Sequence, residues 1–369
     1  MAGALLIFES SQSGAERELL SIAITSNANL KSKAKPSHHA QGNRRQSPHA
    51  HYIHNTKHTA DRNRFTHIEE KLRMEPFDNI IGVIGGTGLG DSISKRITGG
   101  TLIDVETPFG KPSDKILVGK LGNNRRIAFL NRHGNGHAYP PSKVPSAANI
   151  YAMKKLGVKT IISMGAVGSL NENIAPGDLV VVDQFIDKTY KRTNSFFSEF
   201  GAVHVEMADP VCSRLREKII DIGKNIDGNH KVHATGTYVC MEGPSFSTRA
   251  ESLMHKQWGG DLIGMTAMPE AKLAREAQMC YSLIALVSDY DCWKPHAPGT
   301  DKKVLLQEII ANMNIACDNC VNLIEAVLNS NHALNGTDCI CRKSLELAVW
   351  TNMEVIPEDQ MDRVRVLFE

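Results

Sequence analysis

A chain of 369 residues with 41% hydrophobic and 22% charged side chains can bury a full-sized core and falls in the soluble globular class. Its 42 basic and 40 acidic residues leave a formal net charge of +2, which gives no global reason to expect nucleic acid or an anionic membrane surface as partner. No apolar run approaches the roughly 18 to 20 residues that span a bilayer, and Met1 to Phe8 lacks the basic flank and length of a secretory signal, so a cytoplasmic protein is expected.

The first seventy-odd residues are rich in Ser, Asn, His, Lys and Arg and carry almost no hydrophobic period. Such a stretch cannot bury enough apolar surface to fold alone, so residues 1–76 are expected to form a disordered extension, with Met74 a sensible alternative start. Its histidines 38, 39, 49, 51, 54 and 58 could hold a metal, and its basic residues could contact nucleic acid. An unstructured tail is the simpler reading.

From Asn79 onward, short Val- and Ile-rich runs alternate with amphipathic segments. The runs Ile80–Ile84, Lys115–Val118, Ile127–Leu130, Thr160–Met164, Leu179–Val182, Leu262–Met265 and Leu283–Val287 suit strands covered on both faces. Helices are expected near Val144–Lys155, Cys212–Lys224, Ser247–Trp258, Pro269–Ala277 and Lys303–Leu328, which makes an α/β domain. In open α/β sheets ligands bind beyond the carboxyl ends of the strands, so the residues ending each run carry the functional signal.

Gly85-Gly86-Thr87-Gly88-Leu89-Gly90 closes the first run, and glycine amides with a threonine hydroxyl can surround a phosphate. The third glycine of a dinucleotide fingerprint and the lysine of a P-loop are missing. Asn131-Arg132-His133-Gly134-Asn135-Gly136-His137 brings a cation suited to bidentate phosphate contact and imidazole donors to a flexible loop. Zinc on His133 and His137 would need a helix, which Gly134 and Gly136 oppose. Gly165 and Ala166 end the next strand with accessible amides. In Glu242-Gly243-Pro244-Ser245-Phe246-Ser247, Phe246 can stack on a planar base and Ser247 lies near a helix N-terminus. Asp289 and Asp291 put two carboxyls on one side of an extended segment, where a carboxyl can meet a purine N7 or exocyclic amine.

Eight scattered cysteines fit a reducing compartment with mostly buried thiols. Cys317 and Cys320 with Cys339 and Cys341 resemble half a zinc-ribbon spacing, but the first pair lies inside the 304–328 helical pattern, where i and i+3 merely share a face. Whether this set oxidises or binds metal stays open.

Taken in order, Gly-Gly-Thr-Gly, Thr107-Pro108-Phe109-Gly110-Lys111-Pro112-Ser113, Arg-His-Gly-x-x-His, Glu-Gly-Pro-x-Phe-Ser-x-Arg-Ala-Glu-Ser, Met265-Thr266 and Asp-Tyr-Asp-Cys-Trp resemble the methylthioadenosine phosphorylases within the trimeric purine nucleoside phosphorylase family. The resemblance implies one nucleoside phosphorylase-like domain over residues 77–369, with a mixed central β-sheet flanked by helices. It implies that Thr87, Arg132, His133, Gly165, Ala166, Ser247 and Thr266 surround phosphate, that Met265 packs under the ribose and Phe246 beside the base, and that Asp289 and Asp291 serve the purine as catalytic residues. His204 is implied to close a neighbouring subunit's pocket in a homotrimer, and Val304 and Leu305 to line the 5'-alkylthio pocket. Phosphate is then a co-substrate, and no metal, organic cofactor, membrane or nucleic acid is expected.

Departures from the eukaryotic pattern are Gly165 for threonine, Ser288 for threonine, and a shorter loop at 294–303. They leave methylthioinosine, or a broader range of 6-oxopurine nucleosides, as the alternative substrate class. The implied compartment is the cytoplasm, with the nucleus as a second.

Overall fold

The computed structural model describes residues 79–369, apart from Thr87, Phe200, Asp227, Gly228, Asn229 and Thr337. The expected extension 1–76, its histidines and Thr87 therefore lie outside the described residues. Among those described, strands β1 (Ile81–Gly85), β2 (Thr98–Ile103), β3 (Ile116–Leu121), β4 (Arg125–Asn131), β5 (Thr160–Ser169), β6 (Leu179–Val181), β7 (Gln184–Asp187), β8 (Val232–His233), β9 (Thr237–Cys240), β10 (Leu262–Gly264) and β11 (Cys280–Tyr290) form one mixed sheet. The order β2-β3-β4-β1-β5-β10-β9-β7 runs along one path, while β11 leaves β5 on its other side and leads to β6 and β8.

The parallel centre, β4-β1-β5-β11, is nearly continuous Val, Ile, Leu and Ala, as expected for strands buried on both faces. All seven expected strands are present, and β2, β7, β8 and β9 are additions. Exposure explains β2, whose first five residues face solvent and include two glycines, leaving no apolar pattern to read. Because the central strands are parallel, their carboxyl ends lie along one edge of the sheet, where Gly86 and Gly165 approach Arg132 and Asp289 pairs with Gly168.

Five helices of nine residues or more cover the faces: Ser146–Lys155, Ser213–Gly223, Arg249–Gln257, Ala267–Glu276 and Lys302–Asn329, each within three residues of its expected start. Thr248 caps the third through a reciprocal box with Glu251. In the fourth, Met268 is extended (φ −111°, ψ 136°), so regular helix begins at Pro269, where proline's missing N–H costs nothing. No described helix is long and apolar enough to cross a membrane.

Candidate active site

One end of the candidate site is built around a buried cation. Arg132 follows β4, donates its backbone N–H to Gly85 O at 2.9 Å, and is 1% exposed. Its Nε and Nη2 grip the two oxygens of Glu270 at 2.8 and 3.1 Å, Nη2 also meets Ser163 Oγ at 2.6 Å, and Nη1 donates to Met164 O at 2.7 Å. Glu270 also accepts from Ser163 Oγ and from the Tyr281 hydroxyl, at 2.5 and 2.9 Å. Of the five guanidinium hydrogens, one on Nη1 has no partner among the described residues. That nitrogen faces glycine backbone, since a Cβ on Gly86 would sit 2.9 Å from it and one on Gly165 4.0 Å. The bidentate grip expected from sequence is thus directed at Glu270, with one N–H left for an anion.

His133 is also buried, at 4% exposure. Its Nδ1 lies 2.8 Å from Tyr139 O, and since a carbonyl only accepts, Nδ1 carries the hydrogen and Nε2 is left as acceptor. Burial, followed by the Arg132 charge, lowers its pKa to about 4, so the ring is neutral near pH 7. It stacks on His137 at 4.2 Å. The turn that follows contains Gly136 at φ 65°, so these imidazoles do not share a helix face. Gly134 has φ 72°, and a Cβ there would come within 2.7 Å of Ser113 O. Ser113 in turn donates its hydroxyl to Asn131 O at 2.8 Å and its backbone N–H to Asn149 Oδ1 at 2.8 Å. The Thr-Pro-Phe-Gly-Lys-Pro-Ser segment therefore shapes the loop that carries Arg132 and His133.

Gly165 and Thr266 approach closely, because a Cβ added at Gly165 would lie 3.2 Å from Thr266 Oγ1. A threonine at 165, as in the eukaryotic pattern, would crowd that hydroxyl. Ala166, next on β5, is half-buried. The Met265–Met268 turn is fastened by a residue that the sequence did not single out. Arg192 donates to Met265 O and Met268 O at 2.6 Å each, to Glu242 O at 2.7 Å and to Glu242 Oε1 at 3.3 Å. Gly243, at φ 72°, lets the Gly-Pro-Ser-Phe loop lie against Met265, whose sulfur would be 2.6 Å from a Cβ there. Phe246 in that loop is 55% exposed, and Ser247 sits just before the capping residue Thr248, its hydroxyl 3.8 Å from the Met241 sulfur.

The other end of the candidate site lies on β11. Ser288 is an extra residue in the pairing with β5, so register shifts between Val287 and Asp289. The bulge re-aims the chain at the point where the carboxyls begin. Ser288 Oγ bridges Asp289 Oδ1 at 2.7 Å and Val167 O at 3.2 Å. Burial, with Asp291 adding negative charge, raises the Asp289 pKa to about 6 despite the Ser288 hydrogen bond. Asp291 Oδ2 is buried without a hydrogen-bond partner.

The remaining expected residues are more peripheral. His204 is exposed, bonded through its N–H to Ala348 O at 2.9 Å and set edge-on to Trp350, itself 75% exposed. Val304 is 56% exposed and Leu305 half-buried in the first turn of the 302–329 helix, so packing within this chain leaves an apolar 5'-wall from these residues unfinished. Sequence reading missed Glu270, Ser163, Tyr281 and Arg192. The available signal was indirect: a buried arginine requires a carboxylate, and Ser163 and Tyr281 interrupt otherwise apolar runs.

A profile of the phosphorylase superfamily matches residues 80–329. An S-methyl-5'-thioadenosine phosphorylase of Gloeobacter violaceus is 42% identical over 280 residues, covering 75% of this chain and 91% of the relative. One from Geobacter sulfurreducens is 44% identical over 291 residues, covering 79% and 98%. Among solved structures, a methylthioadenosine phosphorylase from an antarctic soil metagenomic library superposes with a TM-score of 0.71 at 42% identity, covering 78% of this chain and 98% of the other. The Schistosoma mansoni methylthioadenosine phosphorylase in complex with tubercidin gives 0.61 at 36% identity, covering 67% and 90%.

Proposed function

The chain belongs to the phosphorylase superfamily, and from that premise we propose that it catalyses phosphorolysis of 5'-methylthioadenosine to adenine and 5-methylthioribose 1-phosphate, in purine and methionine salvage. The observation that carries the reading is the pairing of two chemically opposite ends. One is a buried Arg132–His133–Thr266 corner lined by Gly86 and Gly165, and the other is the Asp289–Asp291 pair on β11.

Breaking the C1'–N9 bond leaves positive charge on the ribose and negative charge on the purine. Phosphate at the Arg132 corner opposes the first, and one of its oxygens forms the new bond to C1' as the C1'–N9 electron pair leaves with the base. With Arg132 matched by Glu270, the anion meets one guanidinium N–H, the Thr266 hydroxyl and backbone amides rather than a free cation. Neutral His133 offers Nε2 as an acceptor, which suits the proton of a hydrogen phosphate. Thr87 and Ser247 complete the phosphate set in this reading. Asp289, protonated below about pH 6, delivers its proton to N7, and the buried Asp291 Oδ2 accepts from the 6-amino group. That last contact favours adenine over hypoxanthine, whose 6-oxygen is an acceptor and would leave Asp291 unsatisfied.

Met265 and Phe246 hold the ribose and base, and Val304 and Leu305 receive the methylthio group. The exposed His204–Trp350 pair is suited to a subunit contact, which supports a homotrimer in which His204 completes a neighbour's pocket. We place the catalytic domain at residues 77–369, after an extension of 76 residues, in the cytoplasm and in the nucleus as a second compartment. Phosphate is a co-substrate, and the mechanism calls on no cofactor.

The test is incubation with methylthioadenosine, methylthioinosine, adenosine and inosine, with and without phosphate, identifying the base and sugar product. Adenine and methylthioribose 1-phosphate formed only with phosphate are expected. Free methylthioribose without phosphate would make the protein a hydrolase.

A further inference from the structure

Four cysteines distant in sequence meet at the end of the sheet opposite Asp289. Cys212 precedes the 213–223 helix, Cys280 opens β11, and Cys339 and Cys341 flank Ile340 at the 340–343 turn. All four are buried, and their sulfurs lie within 4.8 Å of one another, with Cys212 and Cys339 at 3.6 Å. Sulfurs around a tetrahedral zinc, each at about 2.3 Å from the metal, stand about 3.8 Å apart. A disulfide requires about 2.05 Å, well short of the 3.6 Å between Cys212 and Cys339, and all four thiols are free. The sequence had grouped Cys339 and Cys341 with Cys317 and Cys320, but the latter pair packs into the core from the 302–329 helix and takes no part.

The charges around the cluster point the same way. Arg214 Nη2 lies 3.6 Å from Cys280 Sγ, and Arg342 directly follows Cys341. Both guanidinium groups otherwise bond neutral oxygens: Arg214 meets Ala333 O and Leu334 O, and Arg342 meets Lys159 O, Gln278 O and Thr160 Oγ1. Among the described residues neither forms an ion pair with a carboxylate. Four thiolates on a divalent ion carry a net charge of −2, which two guanidinium groups match.

We propose that Cys212, Cys280, Cys339 and Cys341 bind one structural zinc ion that pins the C-terminal segment, residues 330–369, to the sheet and to the 213–223 helix. Four protein ligands leave no open position for substrate, as in structural sites. Thiolate softness and tetrahedral geometry select zinc over magnesium, calcium or manganese. Among its described residues the segment has one α-helix, Glu358–Val364, and otherwise short turns. It also carries Ala348 and Trp350, which support His204.

The test uses the full chain purified under reducing conditions without chelator, with metal content measured by mass spectrometry and thiols counted after denaturation. One zinc per chain is expected, falling at least tenfold in Cys280→Ser and Cys341→Ser and unchanged in Cys317→Ala and Cys320→Ala. Should the serine variants fail to fold, cobalt exchanged into the wild-type protein is expected to show the visible bands of a tetrahedral tetrathiolate. Removing the metal should lower Tm by several degrees while kcat at low temperature is kept. A stoichiometric iron content would overturn the choice of zinc. Four free thiols with no metal, or a mass short by two hydrogens per oxidised pair, would overturn the site.

Discussion

Arg132 and Glu270 form a two-pronged ion pair, 2.8 and 3.1 Å long, with side chains only 1% and 2% exposed. The pair joins the loop after β4 to the helix after Met265-Thr266, so the residues expected to hold phosphate are held to each other through a carboxylate. Breaking a buried pair by removing one partner leaves an uncompensated charge and costs about 3–5 kcal/mol. Glu270→Ala should therefore shift the urea midpoint markedly downward and Arg132→Ala should do the same, so neither isolates phosphate affinity. Arg132→Lys retains the charge but loses the fork, and it should raise KM for phosphate more than it lowers the midpoint. A Glu270→Ala midpoint equal to that of wild type would remove the pair from any structural role.

Asp289→Asn keeps the shape and a hydrogen-bond donor but has no proton to transfer. A loss of about 10²- to 10⁴-fold in kcat is expected, with a smaller change in KM for phosphate. The Asp289 pKa is raised to about 6, so the acid form is present below that pH and is lost above it. The wild-type kcat/KM should accordingly decline as pH rises through about 6, and the Asn variant should lose that limb. His133, lowered to about 4, does not titrate in this window.

Gly86→Ala places a methyl 2.9 Å from Arg132 Nη1 and 3.3 Å from Met164 O, one of which is backbone and cannot turn aside. It should raise KM for phosphate by about tenfold or more, equivalent to roughly 1.4 kcal/mol. Gly165→Thr, with its Cβ 3.2 Å from Thr266 Oγ1, should act in the same direction but more weakly, because a hydroxyl can rotate. Phosphate titration at saturating nucleoside measures both, and equal KM values in wild type and Gly86→Ala would separate that glycine from the anion site.

Removing residues 1–76 should leave kcat and both KM values within about twofold of the full chain, because each strand end invoked above lies beyond Asn79. Steady-state kinetics on the truncated protein checks this. A tenfold loss would give the extension a part in the site.

The α/β alternation, all the central strands and the strand ends where the candidate site residues stand were legible in the sequence. Buried parallel strands must be apolar along their whole length, and glycines, arginine, histidine and paired aspartates stand out where such runs stop. It also identified the order of motifs that the superfamily match later covered. Only the tertiary structure decided how those groups are used. Arg132 turns two of its donors to Glu270, which stands 138 positions away. His133 spends its Nδ1 hydrogen on Tyr139, and Ser288 bulges out of register just before Asp289. The cysteines regrouped for the same reason. Spacing along the chain suggested Cys317 and Cys320, whereas strand pairing and helix packing brought Cys212 and Cys280 to Cys339 and Cys341. Local pattern reports which face a residue presents, but a buried charge or thiol chooses its partner through space, and that choice is made when the layers close.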